Sequence, residues 1–187
     1  MTDGAFLLSI NGQLEWVDYL AGAGSVWHCK YEFVAGPDWT IISGLEAGVT
    51  QIANIVRNGA KIVFNFPIEI VYKSSNPFGW PQIVISVYSG AQIKGYGRAH
   101  VPIRPGCHDL HISLSRPQPS TLLGYIGTFF GYQPELLQPK ELLQPKMLAT
   151  TAGNYLIRMI CQGEVKCSMH VLTQNFTTLG YDAGKTV

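Results

Sequence analysis

At 187 residues the chain is long enough to bury a substantial core, and it is read as one domain over residues 1–187. Its residues are 47% hydrophobic and only 13% charged, so part of a surface this poor in charge is expected to be covered by something else. A formal net charge of +1 provides no basic field for nucleic acid.

Taken in chain order, Phe6, Leu8 and Ile10 alternate, Asn11-Gly12 offers a turn dipeptide, and Leu14 and Trp16 resume the pattern. That reads as a strand followed by a turn or sharp bend. Residues 21–25 are a flexible Gly/Ala connector. Cys29, Tyr31 and Phe33 then alternate with His28, Lys30 and Glu32, which predicts a half-buried strand. Gly36-Pro37-Asp38 is a turn delivering Trp39, and residues 44–53 receive no firm assignment. Residues 62–72 form the clearest strand, with Phe64, Phe66, Ile68, Ile70 and Tyr72 on one face; Pro67 requires an edge position or a bulge there.

The most distinctive stretch follows: Asn76-Pro77-Phe78-Gly79-Trp80-Pro81-Gln82, feeding the strand residues 83–88. Pro77 and Pro81 fix φ and push their predecessors towards extended geometry, while Gly79 is free to take positive φ between two large rings. Ile83, Ile85 and Val87 fall on one face, with Val84, Ser86 and Tyr88 on the other. A rigid corner of this kind either packs a sandwich end or receives a partner; burial is the expectation for Trp80. Beyond it, Gly95-Tyr96-Gly97 leads into residues 99–103, residues 104–106 turn the chain, and residues 111–114 make a short strand. Val165, Cys167, Met169 and Val171 alternate with Lys166, Ser168 and His170 in a last strand. Short strands separated by Gly/Pro turns predict an all-β, antiparallel sandwich.

Residues 117–151 differ in texture and read as an inserted loop or short helix. Leu122, Leu123, Tyr125, Ile126, Phe129 and Phe130 have helix-like spacing, and Glu135-Leu136-Leu137-Gln138-Pro139-Lys140 is repeated at once as residues 141–146. A two-copy hexapeptide with a proline each time is too short for a solenoid, and a lengthened loop accounts for it.

Reactive chemistry finds little support. Cys167 and His170 have ligand-like spacing, yet on a strand they point to opposite faces, so a metal is not expected. Asp3, Asp18, Asp38, Asp109 and Asp182 are too dispersed for an evident calcium rim. No nucleophile elbow, phosphate loop or zinc-protease motif occurs. A pocket joining Cys107, His108 and His111 is the one arrangement that would make an enzyme. Neither cofactor nor small-molecule substrate is expected. The start Met1-Thr2-Asp3-Gly4 lacks the features of a secretory or myristoylation signal, no apolar run approaches a membrane span, and four cysteines without framework spacing read as reduced thiols, so a cytoplasmic location is expected.

Several strings together resemble one family. Cys29-Lys30-Tyr31, residues 36–39, 43–46, 64–68 and 73–84, then Gly95-Tyr96-Gly97, residues 100–102 and 179–182, are similar to the B9-domain proteins of cilia, over roughly residues 6–184. The resemblance implies a C2-like β-sandwich without enzymatic activity. It implies location at the ciliary basal body and transition zone, in the Meckel-syndrome module. There the partners would be two other B9-domain proteins and further Meckel-syndrome and tectonic complex members. Such an assembly supports ciliogenesis and gates the entry of ciliary membrane proteins. The alternative is a calcium-independent phospholipid-binding module with peripheral membrane contact at the ciliary base. The residues carrying the family signature, and candidates for interaction, are Trp39, Asn76, Pro77, Phe78, Gly79, Trp80, Pro81, Tyr96 and Tyr181. The duplication at residues 135–146 departs from the family pattern.

Overall fold

Alternation at period two becomes strand wherever one face can be buried, and the computed structural model bears this out over the residues it describes, 4–19, 25–55, 57–117 and 159–181. The strands are β1 (Phe6–Tyr19), β2 (Val26–Val34), β3 (Thr40–Gly44), β4 (Ala47–Val49), β5 (Ala53–Asn54), β6 (Ile62–Ser74), β7 (Gln82–Ser89), β8 (Gln92–His100), β9 (Gly106–Pro117) and β10 (Met159–Gln174). A single 3₁₀ turn, Thr177–Leu179, is the one helical element among the described residues. The helix-like pattern at residues 122–130 and the duplication at residues 135–146 lie outside them.

The strands hydrogen-bond in the order β3-β6-β1-β10-β9-β8-β7-β2-β4, with β5 also on β2, and the registered pairs are antiparallel. The sheet curls on itself, so that Tyr31 of β2 meets Phe66 of β6 at 6.0 Å between ring centroids, though five strands lie between them in that order. Both inner faces feed one core: Leu8, Ile10 and Leu14 of β1, Cys29 and Phe33 of β2, Ile83, Ile85 and Val87 of β7, and Val165, Cys167 and Val171 of β10 are fully buried. The fold is therefore an all-β antiparallel sandwich made by curling.

Residues 40–55 close the open seam between β6 and β2 as a strap. Leu45 N donates to Glu69 O (3.2 Å) on the β6 side, and Phe33 N donates to Glu46 O (2.7 Å) on the β2 side. Thr50 N donates to Cys29 O, Cys29 N donates to Thr50 Oγ1, and Ile55 N donates to Ser25 O. Gln51 Nε2 also donates to Phe64 O. The segment left unassigned from sequence, residues 44–53, thus runs from the end of β3 through β4 to the start of β5 within this strap. Every residue of β3 is exposed, so no burial alternation was there to read.

Further expectations are corrected. Asn11-Gly12 is no turn: β1 runs straight through it, and Gly12 is required because a Cβ there would collide with Ser168 O of β10. The irregularity in β1 comes later, where the register slips between Leu14 and Trp16 opposite Asn65, whose φ is +46°. That is the bulge next to Pro67, and β6 is also unpaired there on its outer side, since β3 reaches only Ile70. Gly95-Tyr96-Gly97 likewise sits inside β8, and residues 111–114 are part of a twelve-residue β9. On β7 both faces are covered: opposite the fully buried Ile83, Ile85 and Val87, Val84 and Ser86 are buried beside long neighbours, Glu32 and Arg98 flanking one, Lys30 and Tyr96 the other.

Candidate functional site

The corner of residues 76–82 sits beyond the end of β6 and is sewn to the turn of residues 36–39. Asn76 folds it locally: Phe78 N donates to Asn76 Oδ1 (3.0 Å), while Asn76 Nδ2 donates to Asp38 Oδ2 (3.1 Å). Ser74 Oγ donates to Asn76 O and accepts from Asn76 N. Gly36 N donates to Gly79 O (2.8 Å), and the two glycines approach so closely that a Cβ on Gly79 would lie 2.5 Å from Gly36 Cα. Gly79 has φ +71°, which also favours glycine.

The two tryptophans lock the corner from inside. Trp39 is buried and donates Nε1 to Phe78 O (2.9 Å). Trp80 is half-buried and donates Nε1 to Val101 O (2.7 Å), while Val101 N donates to Pro81 O (3.0 Å). The rings meet edge to face at 5.2 Å and 88°, a favourable arrangement for two π quadrupoles. Phe6, Tyr72, Phe176 and Tyr181 complete the cluster, with Phe6 centred 5.4 Å from Trp39 and 4.3 Å from Phe176. Burial, then the Glu46 carboxylate, push the Tyr72 phenol upward, and its oxygen has no hydrogen-bond partner among the described residues.

Of the sequence candidates, Trp39, Asn76, Pro77, Phe78, Gly79, Trp80, Pro81 and Tyr181 come together at this end of the sandwich. Their roles differ. Pro81 is buried, Tyr181 packs on Phe6 and Phe176, and Trp80 turns inward. Phe78 alone of the corner's rings faces out, at 63% exposure. Tyr96 is elsewhere, buried on the outer face of β8 opposite Ser86 and Ser115. Gly95 and Gly97, beside it, face Leu114 and Ile112 on the inner side.

The groups considered for chemistry are held apart. His108 Nε2 lies 2.8 Å from Arg104 O, and His111 Nδ1 lies 2.8 Å from Glu164 Oε1, with the two imidazoles on opposite faces of β9. Cys107 is exposed and registers with His170. Cys167 is in the core, where burial, helped by Glu15, pushes its thiol up to about 12. Among the described residues no three His, Cys, Asp or Glu side chains converge as a metal site. Lys166 instead bridges Glu15 (3.0 Å) and Asp109 (3.4 Å).

Sequence reasoning passed over one surface. Ile42, Leu45, Val49 and Ile52 of the strap are 55%, 66%, 52% and 66% exposed. The available signal was compositional: residues 40–55 contain a single charge, Glu46.

Comparison with known proteins places the whole chain in a family. Residues 8–172 match the profile of a family described as B9-C2, ciliary basal body-associated, B9 protein. B9 domain-containing protein 1 of Xenopus laevis is 38% identical over 188 residues, covering 97% of this chain and 91% of that protein. The Mus musculus protein of the same name is 39% identical, covering 96% and 87%. B9 domain-containing protein 2 of Danio rerio is 27% identical, covering 83% and 87%. A solved structure, the crystal structure of S. officinalis PLC21, is similar at a TM-score of 0.46 and 12% identity, over all of this chain but 17% of that one. With the profile spanning most of the sandwich and relatives matching it nearly end to end, the chain belongs to the B9-domain family of ciliary basal body-associated proteins.

Proposed function

We propose that the chain is a non-enzymatic structural subunit of the assembly at the ciliary transition zone. It works by binding the two other B9-domain proteins and further Meckel-syndrome and tectonic members, supports ciliogenesis and gates ciliary membrane proteins. The observation that carries this reading is the match to B9 domain-containing protein 1 across nearly the whole chain. The surface adds support: large apolar side chains stand exposed on a framework of paired strands, the composition of a protein that acts by being covered. Cys107, His108 and His111 form no shared constellation, which favours binding over turnover.

At the corner, Phe78 is proposed as the contact residue and the two tryptophans as its frame. Purified chain is mixed with another B9-domain protein, and the affinities of Phe78→Ala and Trp80→Phe are compared with that of the unmodified chain. Phe78→Ala is expected to weaken binding without lowering the melting temperature, whereas Trp80→Phe lowers the melting temperature first. Unchanged affinity and ciliary localisation for Phe78→Ala would remove the corner from the interface.

A further inference from the structure

We infer that the aliphatic ridge on the strap, Ile42-Leu45-Val49-Ile52, is the main surface by which this chain seats in an uncharged apolar groove of a partner B9-domain protein. The inference rests on the assembly reading above and names the surface that performs it.

Four aliphatic side chains of the strap are each more than half exposed, with Phe78 at its head, where Trp39 holds the Phe78 carbonyl. The strap is anchored rather than loose. It is hydrogen-bonded to both layers at Leu45, Glu46, Thr50, Gln51 and Ile55, so the ridge is presented in a fixed shape and little ordering entropy remains to be lost on binding. Polar side chains on the ridge would leave every one of those hydrogen bonds in place.

Area and charge identify the occupant. From Ile42 to Ile52 the chain spans at most about 35 Å, and the edge of a two-layer sandwich is about 10 Å wide. The ridge therefore covers no more than about 350 Å², the size of the contact patches found on single proteins. It is short of the roughly 800 Å² per partner of a stable interface. Two such ridges laid on each other bury too little for a stable dimer of this chain. A concave groove that wraps the ridge also takes up its flanks and gains the missing area. The residues in register with the ridge offer no positive flank for capture by an anionic membrane. Lys30 lies opposite Val49 and Lys73 opposite Thr40, while Glu32 lies opposite Ala47, Glu69 pairs with Leu45 and Glu46 is in the strap itself. Two cations against three carboxylates give no positive rim.

The experiment uses the full chain and purified B9 domain-containing protein 2 as probe, with affinity read by titration calorimetry. In Leu45→Asp/Ile52→Asp the affinity is expected to fall by about thirtyfold, a hot-spot loss, with the melting temperature unchanged because both side chains are exposed. Leu45→Ser/Ile52→Ser is run beside it, so that a folding defect in the acidic variant does not decide the outcome. Binding that both variants leave intact overturns the ridge and spares the assembly reading. Failure of the unmodified chain to bind overturns the assembly reading and the ridge with it. Self-association of the chain alone, or sedimentation with phosphatidylserine vesicles without the probe, overturns the occupant if the substitutions abolish it.

Discussion

Gly79 is the position where one atom decides whether the corner can close. A methyl group there would sit 2.5 Å from Gly36 Cα, against backbone that cannot rotate away, and the residue would also hold φ at +71°. Gly79→Ala is expected to cost about 3 kcal/mol, the sum of left-handed strain and a displaced turn. Urea unfolding would register it as a lower midpoint, and a loss below about 1 kcal/mol would show that the two turns separate freely. The neighbouring Tyr72 predicts the opposite sign. Its hydroxyl is buried with no partner among the described residues, and an unsatisfied polar group costs about 1–3 kcal/mol. Tyr72→Phe keeps the ring against Trp39 and removes the orphan, so stability is expected to stay level or rise by about 1 kcal/mol. A loss of that size instead would mean that the hydroxyl has a partner in solution.

Elements differ in how openly they declare themselves. β2, β6 and β10 were legible because each alternates strictly, and the structure buries Cys29, Tyr31 and Phe33, then Phe64, Ile68, Ile70 and Tyr72, then Val165, Cys167, Met169 and Val171, as that alternation requires. β1 was misread for a physical reason. Asn-Gly favours a turn when the chain is free to fold back, but here long-range pairing holds β1 to β6 and β10 at once, and the glycine serves close approach instead. Gly12→Val is therefore expected to destabilise by about 2–4 kcal/mol through the collision with Ser168 O, well beyond the tenths of a kcal/mol that an exposed turn glycine would lose. Hydrogen exchange gives the check: protection should drop along β10 around Ser168, whereas a change confined to residues 11–13 would restore the turn. The strap escaped reading because edge strands with both faces exposed carry no alternation. The corner was legible as a rigid turn from its prolines and glycine. The inward turn of Trp80 was expected from its place beside two prolines, whereas its actual partners, Val101 and Phe176, were not legible because they lie far away in sequence, and the outward face of Phe78 was left open.

At the scale of the whole molecule, the curled sheet places two thiols from opposite layers, Cys29 of β2 and Cys167 of β10, in one shared core. Burial pushes both thiols up from 9.0, Cys167 to about 12 and Cys29 further in the same direction. The folded chain thus keeps both protons where the unfolded chain has released them. Above pH 9 the unfolded state binds fewer protons than the folded one, so stability falls as pH rises. Below pH 9 both states are protonated and these groups give no slope. Each thiol contributes about 1.4 kcal/mol per pH unit in the falling range, so the chain is expected to lose roughly 3 kcal/mol between pH 8 and pH 10. Tyr72 shifts in the same direction but starts from 10.0, and Lys166, raised by its hydrogen bond to Glu15, starts from 10.5, so both act mainly beyond this window. Urea midpoints at pH 8, 9 and 10 measure the slope, and Cys167→Ala should halve it while lowering stability at every pH. A flat profile from pH 8 to 10 would mean that the layers part enough to let water reach the thiols, and the single shared core would then be the wrong description of the molecule.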